Sequence, residues 1–312
     1  MKIVIIGAGA MGCRFGLALK SAGADVILFD VWQEHVDAIN KGLKVIRNGK
    51  EELVNIPATS DIKSVGAVDL VMIFTKAMHT ESALKTSLEI MGADTPVVTL
   101  QNGLGSLSII ERYVGKERTI AGITNYQSDL VGPGIISFGE DRPVFYAKLK
   151  ALDVKSASAA SELCELLRSA GMNCEISDDI LKQIWEKLAF NNAMNMITAL
   201  IKQRDGVVCK SQFGFELSAQ IAREVTAVGV AEGVNIDYDS VVATFGNIKE
   251  STHIPSMLQD VVLQRPTEVD AICGAVIEKA GTYGIETPTL KAMYSLIKML
   301  EDNYETQVTQ LN

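Results

Sequence analysis

Met1-Lys-Ile-Val-Ile-Ile-Gly7-Ala-Gly9-Ala-Met-Gly12 decides the fold. An apolar run of strand length passes straight into three glycines spaced G-x-G-x-x-G. Gly7 permits the tight turn, Gly9 lets the backbone approach a pyrophosphate, and Gly12 lets the next helix lie close on the strand. A helix that starts there aims its unpaired N–H groups at the phosphates. Gly7, Ala8, Gly9, Ala10, Met11 and Gly12 are therefore the candidate cofactor loop. A glycine-rich turn without a nucleotide is the alternative, and the next strand argues against it. Ala24-Asp-Val-Ile-Leu-Phe29 ends in Asp30, where an acidic side chain bonds the adenosine ribose hydroxyls and repels a 2′-phosphate. The Val-Trp-Gln-Glu-His that follows has no arginine, and Lys41 and Arg47 lie further on. NAD(H) is favoured, with NADP(H) as the alternative.

Working outward, strands alternate with helical patterns, which implies a parallel sheet with crossovers. The periodicity predicts helices over residues 34–41, 80–91 and 157–170, and a turn at Asn48-Gly49 within an extended stretch. Val68-Asp-Leu-Val-Met-Ile-Phe-Thr75 reads as a central strand, and Thr95-Pro-Val-Val-Thr-Leu100 as the next. Residues 121–124, 134–138 and 143–147 look like later strands, the last two as an antiparallel extension of the sheet, and 173–177 like the final one. From Asp178 the pattern is helical: 178–200, 214–233, 239–247, 267–283 and 288–305. The fold class is α/β: a Rossmann-type doubly wound parallel sheet over residues 1–178, then an all-helical C-terminal domain over 179–312. In such proteins the site is expected in the crevice outside the carboxyl ends of the strands.

The helical half holds the clearest chemistry. In Trp185-Glu-Lys187-Leu-Ala-Phe-Asn191-Asn-Ala-Met-Asn195, residues four apart drift only about 40° around the helix. Lys187, Asn191 and Asn195 thus share one face, flanked by Trp185, Leu188, Phe190, Met194 and Met196. A solvated stripe is the bland explanation. If the face is buried, its ammonium and amides need partners, and an anionic carbonyl compound would supply them. Strand ends add Thr75-Lys76, where the chain passes near the cofactor, and Gln101-Asn102-Gly103-Leu-Gly105, with Asn102 facing a ligand or standing in an ordinary turn. Ser256, after Pro255, suits a substrate carboxylate or a helix cap. Glu268 suits a substrate hydroxyl, the lysine, or stabilisation of a helix N-terminus together with Asp270.

Composition narrows the class. The chain has 312 residues, 47% hydrophobic, enough for two cored domains. A net charge of −9 argues against nucleic acid and anionic membranes as partners, and leaves a small-molecule substrate held by a local cation such as Lys187. No run of eighteen apolar residues suggests a membrane span. Five scattered cysteines (Cys13, Cys164, Cys174, Cys209, Cys273) read as reduced thiols, so a cytoplasmic location is expected. His35, His79 and His253 form no metal motif. The apolar later helices suggest a homodimer.

Together these motifs resemble the ketopantoate reductase (2-dehydropantoate 2-reductase) family over essentially the whole chain. The resemblance implies that Lys187 is the general acid protonating the keto oxygen while nicotinamide delivers hydride. It implies further that Asn102, Asn191, Asn195 and Ser256 hold the substrate, that Glu268 sits beside the lysine, and that Lys76 lies near the cofactor ribose. Phe29-Asp30-Val-Trp-Gln-Glu-His is similar to the family's branch of NAD-dependent D-2-hydroxyacid dehydrogenases, including D-mandelate dehydrogenases. Lys202-Gln-Arg-Asp205-Gly stands where family members often carry an asparagine. The expected reaction is reduction of a branched or aromatic 2-oxo acid to the D (R) 2-hydroxy acid. The rivals are 2-dehydropantoate reduction in pantothenate biosynthesis, a β-hydroxyacid dehydrogenase, and a non-catalytic nicotinamide-binding sensor.

Overall fold

The opening apolar run forms β1 (Lys2–Ile6), in which Ile3, Val4, Ile5 and Ile6 are all buried. Burial on both faces is the mark of a central strand in a parallel sheet. Structure is described for residues 1–141 and 143–306, from a computed structural model. The strands that follow are β2 (Asp25–Phe29), β3 (Leu43–Arg47), β4 (Lys50–Val54), β5 (Ala58–Thr59), β6 (Leu70–Ile73), β7 (Val97–Thr99), β8 (Thr119–Thr124), β9 (Asp129–Gly132), β10 (Ile135–Phe138), β11 (Ala147–Ala151) and β12 (Cys174–Ile176).

The main sheet has the order β12-β11-β8-β7-β6-β1-β2-β5. Its pairings are parallel except β8 with β11. The chain runs outward from β1 to β2 and β5, then returns to β6 on the other side of β1. That reversal puts the switch point beside the glycine turn. Alternate residues of β1 feed two cores: Ile3 and Ile5 pack with Phe15 and Leu28, while Val4 and Ile6 pack with Val71 and Ile73. Helices α1 (Ala10–Ser21), α2 (Gln33–Lys41), α3 (Thr80–Ser87), α4 (Gly105–Val114) and α5 (Ala157–Ser169) join these strands.

A second sheet, β4-β3-β10-β9, corrects one expectation. Residues 134–138 do not extend the main sheet. Gly134, at φ 66°, accepts from the Lys44 amide at 2.8 Å, and β10 then runs parallel to β3. The Asn48-Gly49 turn forms as expected, both residues at positive φ (52° and 75°), closing the β3–β4 hairpin. The strand expected over 143–147 begins only at Ala147. The Asn125 side chain accepts from the Tyr146 amide at 2.6 Å and donates to the Val144 carbonyl at 2.8 Å, diverting this stretch from the ladder.

Two compact units result, one of residues 1–101 and 106–180, the other of residues 102–105 together with the chain from Leu181 on. The second unit is helical: α6 (Ile180–Ile201), α7 (Asp205–Lys210), α8 (Gln212–Ala231), α9 (Tyr238–Asn247), α10 (Ser256–Val262), α11 (Ala275–Thr282) and α12 (Pro288–Glu301). Helix α6 is buried almost all round from Leu188 to Ala199. Helices α7 and α10 are too short for their periodicity to show in the sequence. The helix expected over 267–283 begins as a π-helix, Asp270–Gly274, and the last one stops at Glu301. Phe245, fully buried between Phe190 and Phe215, belongs to the core of this unit.

Candidate active site

The glycine loop is built for close approach. A Cβ on Gly7 (φ 96°) would stand 2.6 Å from the Thr75 amide nitrogen, and one on Gly12 would stand 2.0 Å from the Gly7 carbonyl oxygen. Neither position admits a side chain. A Cβ on Gly9 would meet nothing within 4 Å. The space over Gly9 lies at the N-terminus of α1, where no side chain caps the helix and no acid occupies the first turn. Exposed N–H groups, a positive dipole end and open space above them suit a pyrophosphate.

Asp30, the candidate ribose ligand, holds the loop. Its Oδ2 accepts from the Ala8 amide at 2.9 Å and its Oδ1 from the Trp32 amide at 3.0 Å. A carboxylate has about four lone-pair sites, so capacity remains for ribose hydroxyls. The Ala8 carbonyl is held by the Cys13 thiol at 2.9 Å and by His35 Nε2 at 2.7 Å. Burial pushes the Cys13 thiol up to about 12, with Asp30 adding to the rise, so it stays a neutral donor. His35 Nδ1 accepts from the Gly134 amide at 3.0 Å, which makes Nε2 the protonated nitrogen. His35, dismissed as a metal ligand from sequence, thus ties the cofactor loop to the second sheet. Its signal is only tertiary, since Gly134 is 99 residues away.

Thr75 follows β6, and its Oγ1 is buried with no partner. Such an atom at the back of the loop fits a site completed by a ligand. Lys76, half-buried, precedes the short 3-10 turn Ala77–His79. Gln101 is structural, donating to the Thr75 carbonyl at 2.7 Å and to Thr80 Oγ1 at 2.9 Å. Asn102 is half-buried and belongs to the second unit, ahead of Gly103 at φ 87°.

On α6, Lys187 and Asn191 are half-buried and Asn195 is 5% exposed, so the row is not a solvated stripe. Trp185, Leu188, Met194 and Met196 are buried around it. Burial pushes the Lys187 ammonium down to about 8, while the nearby Glu268 carboxylate raises it. Desolvation is what lowers it. Thr267 caps the turn after Pro266, its Oγ1 accepting from the Val269 amide at 3.2 Å. Asp270 bonds the Tyr294 hydroxyl and Lys298 on α12. Those contacts account for Thr267 and Asp270 and leave Glu268 as the acid that acts on Lys187. Ser256 is exposed as the first residue of α10, one place after Pro255, which holds the N-cap position.

A loop that fits a dinucleotide, in the first unit, and a lysine lowered by burial beside a carboxylate, in the second, are the parts a nicotinamide-dependent oxidoreductase requires. Comparison with known proteins agrees. Residues 3–150 match the family described as ketopantoate reductase PanE/ApbA, and residues 179–301 match its C-terminal part. The 2-dehydropantoate 2-reductase of Streptococcus pyogenes serotype M1 is 33% identical over 304 residues, covering 96% of this chain and 98% of that one. That of Lactococcus lactis subsp. lactis is 34% identical over 310 residues, covering 97% and 98%. Among solved structures, a D-mandelate dehydrogenase with NADH and anilino(oxo)acetate matches with a TM-score of 0.92 and 33% identity, covering 98% of this chain and all of that one. The chain belongs to the ketopantoate reductase PanE/ApbA family and is an NAD(P)-dependent oxidoreductase. None of its helices, among the described residues, is long and apolar enough to cross a membrane.

Proposed function

We propose that the protein reduces branched or aromatic 2-oxo acids to D (R) 2-hydroxy acids, with NADH as the preferred reductant. The observation that carries this reading is Lys187, a partly buried ammonium lowered to about 8, with Glu268 acting on it and Asn191 and Asn195 following on its face. A bound reduced nicotinamide supplies the hydride. As the carbonyl carbon takes the hydride, negative charge grows on its oxygen, and Lys187 neutralises that charge and donates its proton there. The products are the 2-hydroxy acid, the oxidised cofactor and a neutral amine that recovers its proton from water. Asn191 and Asn195, with Asn102 and Ser256, orient the substrate carboxylate and oxygen by hydrogen bonds. Glu268 keeps the ammonium charged against the pull of burial.

Gly7, Ala8, Gly9, Ala10, Met11 and Gly12 cradle the pyrophosphate, with Thr75 and Lys76 behind and beside them. NADH is favoured because Asp30 would stand against a 2′-phosphate, and Arg47 is stacked on Phe138 at 5.0 Å. The likeness to a D-mandelate dehydrogenase supports the substrate class and hand. The second reading, 2-dehydropantoate reduction, rests on what the curated relatives at 31–34% identity are called. Rates on phenylglyoxylate, 2-ketoisocaproate and 2-dehydropantoate, each with NADH and NADPH, separate the two. Highest kcat/KM on 2-dehydropantoate with NADPH would overturn the first reading. Five buried free cysteines support a reducing, cytoplasmic setting.

A further inference from the structure

The π-helix Asp270–Gly274 is a rare backbone form, and such turns concentrate at functional sites. Two neighbours grip its successive carbonyls. Gly103 packs so tightly that a Cβ there would stand 2.5 Å from the Ala271 oxygen. Asn192, fully buried on α6, donates its amide to the Ile272 carbonyl at 3.2 Å and to the Leu188 carbonyl at 2.9 Å. Its Oδ1 is buried without a partner. Turning the amide over would set that oxygen against two carbonyls, so the orientation is chemically determined. A lone buried acceptor is costly, and it is tolerated here in exchange for a bridge between α6 and the π-turn.

The bridge sits among the groups proposed to handle substrate. Ile272 donates its amide to the Glu268 carbonyl at 3.0 Å, so the π-turn is continuous with the segment that carries Glu268. Asn102 immediately precedes Gly103, and Asn191 immediately precedes Asn192. We infer that Asn192 is a positioning residue, fixing through the Ile272 carbonyl the π-turn that sets Glu268 against Lys187 and seats the Asn102 loop. The inference rests on the proposed role of Lys187 as the acid.

The test is the pH profile of kcat for 2-oxo acid reduction, with NADH affinity measured separately by fluorescence. Asn192→Leu keeps the volume and loses both donors without adding a charge; Asn192→Ala removes the bridge. In both, kcat falls by up to about 10²-fold, the cost of roughly 1 Å of misplacement. The alkaline limb moves to lower pH, because Glu268 no longer raises Lys187 as strongly, and NADH affinity stays at the wild-type value. Asp237→Ala, which removes the cap of α9, serves as a control that lowers Tm and leaves the limb in place. Gly103→Ala presses on the Ala271 carbonyl from the loop side and is read the same way, which keeps the test open should the Asn192 variants not fold. A limb and kcat at wild-type values in folded Asn192 variants, or in Gly103→Ala, overturn the inference. Lys187→Arg reports on the underlying reading separately: a limb that survives there means another group sets it, and the proposed function itself fails.

Discussion

Lys187 works against stability. Its folded pKa, near 8, lies below the ordinary lysine value of 10.5. Between those two values the unfolded chain binds more protons than the folded one, so stability rises with pH across that window. Below about pH 8 the full penalty is present. Lys187→Met should therefore raise the urea midpoint at pH 7 and flatten the pH dependence of stability from 8 to 10.5, while activity is lost. An unchanged midpoint would mean that the ammonium is better solvated than its burial indicates. The row Lys187, Asn191, Asn195 was legible in the sequence because a helix repeats on itself every four residues. Asn192 was not, because its role depends on a carbonyl 80 residues away, and its register places it off the row. His35 escaped for the same reason.

At the scale of elements, the glycine loop separates a folding requirement from a binding requirement. Gly12→Ala drives a Cβ into the Gly7 carbonyl and should strongly lower Tm. Gly9→Ala meets open space at an ordinary φ of −63°, so Tm should hold while NADH binding weakens, because the methyl fills the phosphate's place. Unchanged NADH affinity in Gly9→Ala would place the pyrophosphate elsewhere. Helix α12 offers a stability counterpart. Glu224, 5% exposed, accepts from the Thr289 and Leu290 amides at 3.0 and 2.9 Å. Glu224→Ala should cost about 1–2 kcal/mol, as for loss of an N-terminal cap, seen as a lower urea midpoint with activity per folded molecule retained. The β1–glycine–α1 unit and the long helices were readable because their periodicities span many residues. The partner choice of β10 was not, since a four-residue strand with a glycine turn is compatible with either sheet. The π-turn was hidden too, because its side-chain pattern blends into the helix that follows.

At the scale of the molecule, apolar residues are left exposed on the helical unit: Phe213 at 81%, Met299 at 61%, Val262 at 60% and Leu263 at 59%. A homodimer, the assembly expected from the apolar later helices, would cover side chains of this kind. Light scattering should give twice the 33.7 kDa of one chain, and a monomeric mass at micromolar concentration would refute it. The division of labour between the units explains why the chain needs both. One supplies a glycine loop without caps and an aspartate with spare acceptors; the other supplies a desolvated ammonium on a buried helix. In the proposed mechanism Lys187, as proton donor, turns dinucleotide binding into reduction. Turnover of a 2-oxo acid with NADH by Lys187→Ala, with NADH affinity and Tm checked alongside, tests this most directly. The account predicts a fall of about 10²-fold or more with both checks at wild-type values. Turnover within about threefold of wild type, far short of the loss of a general acid, would contradict it.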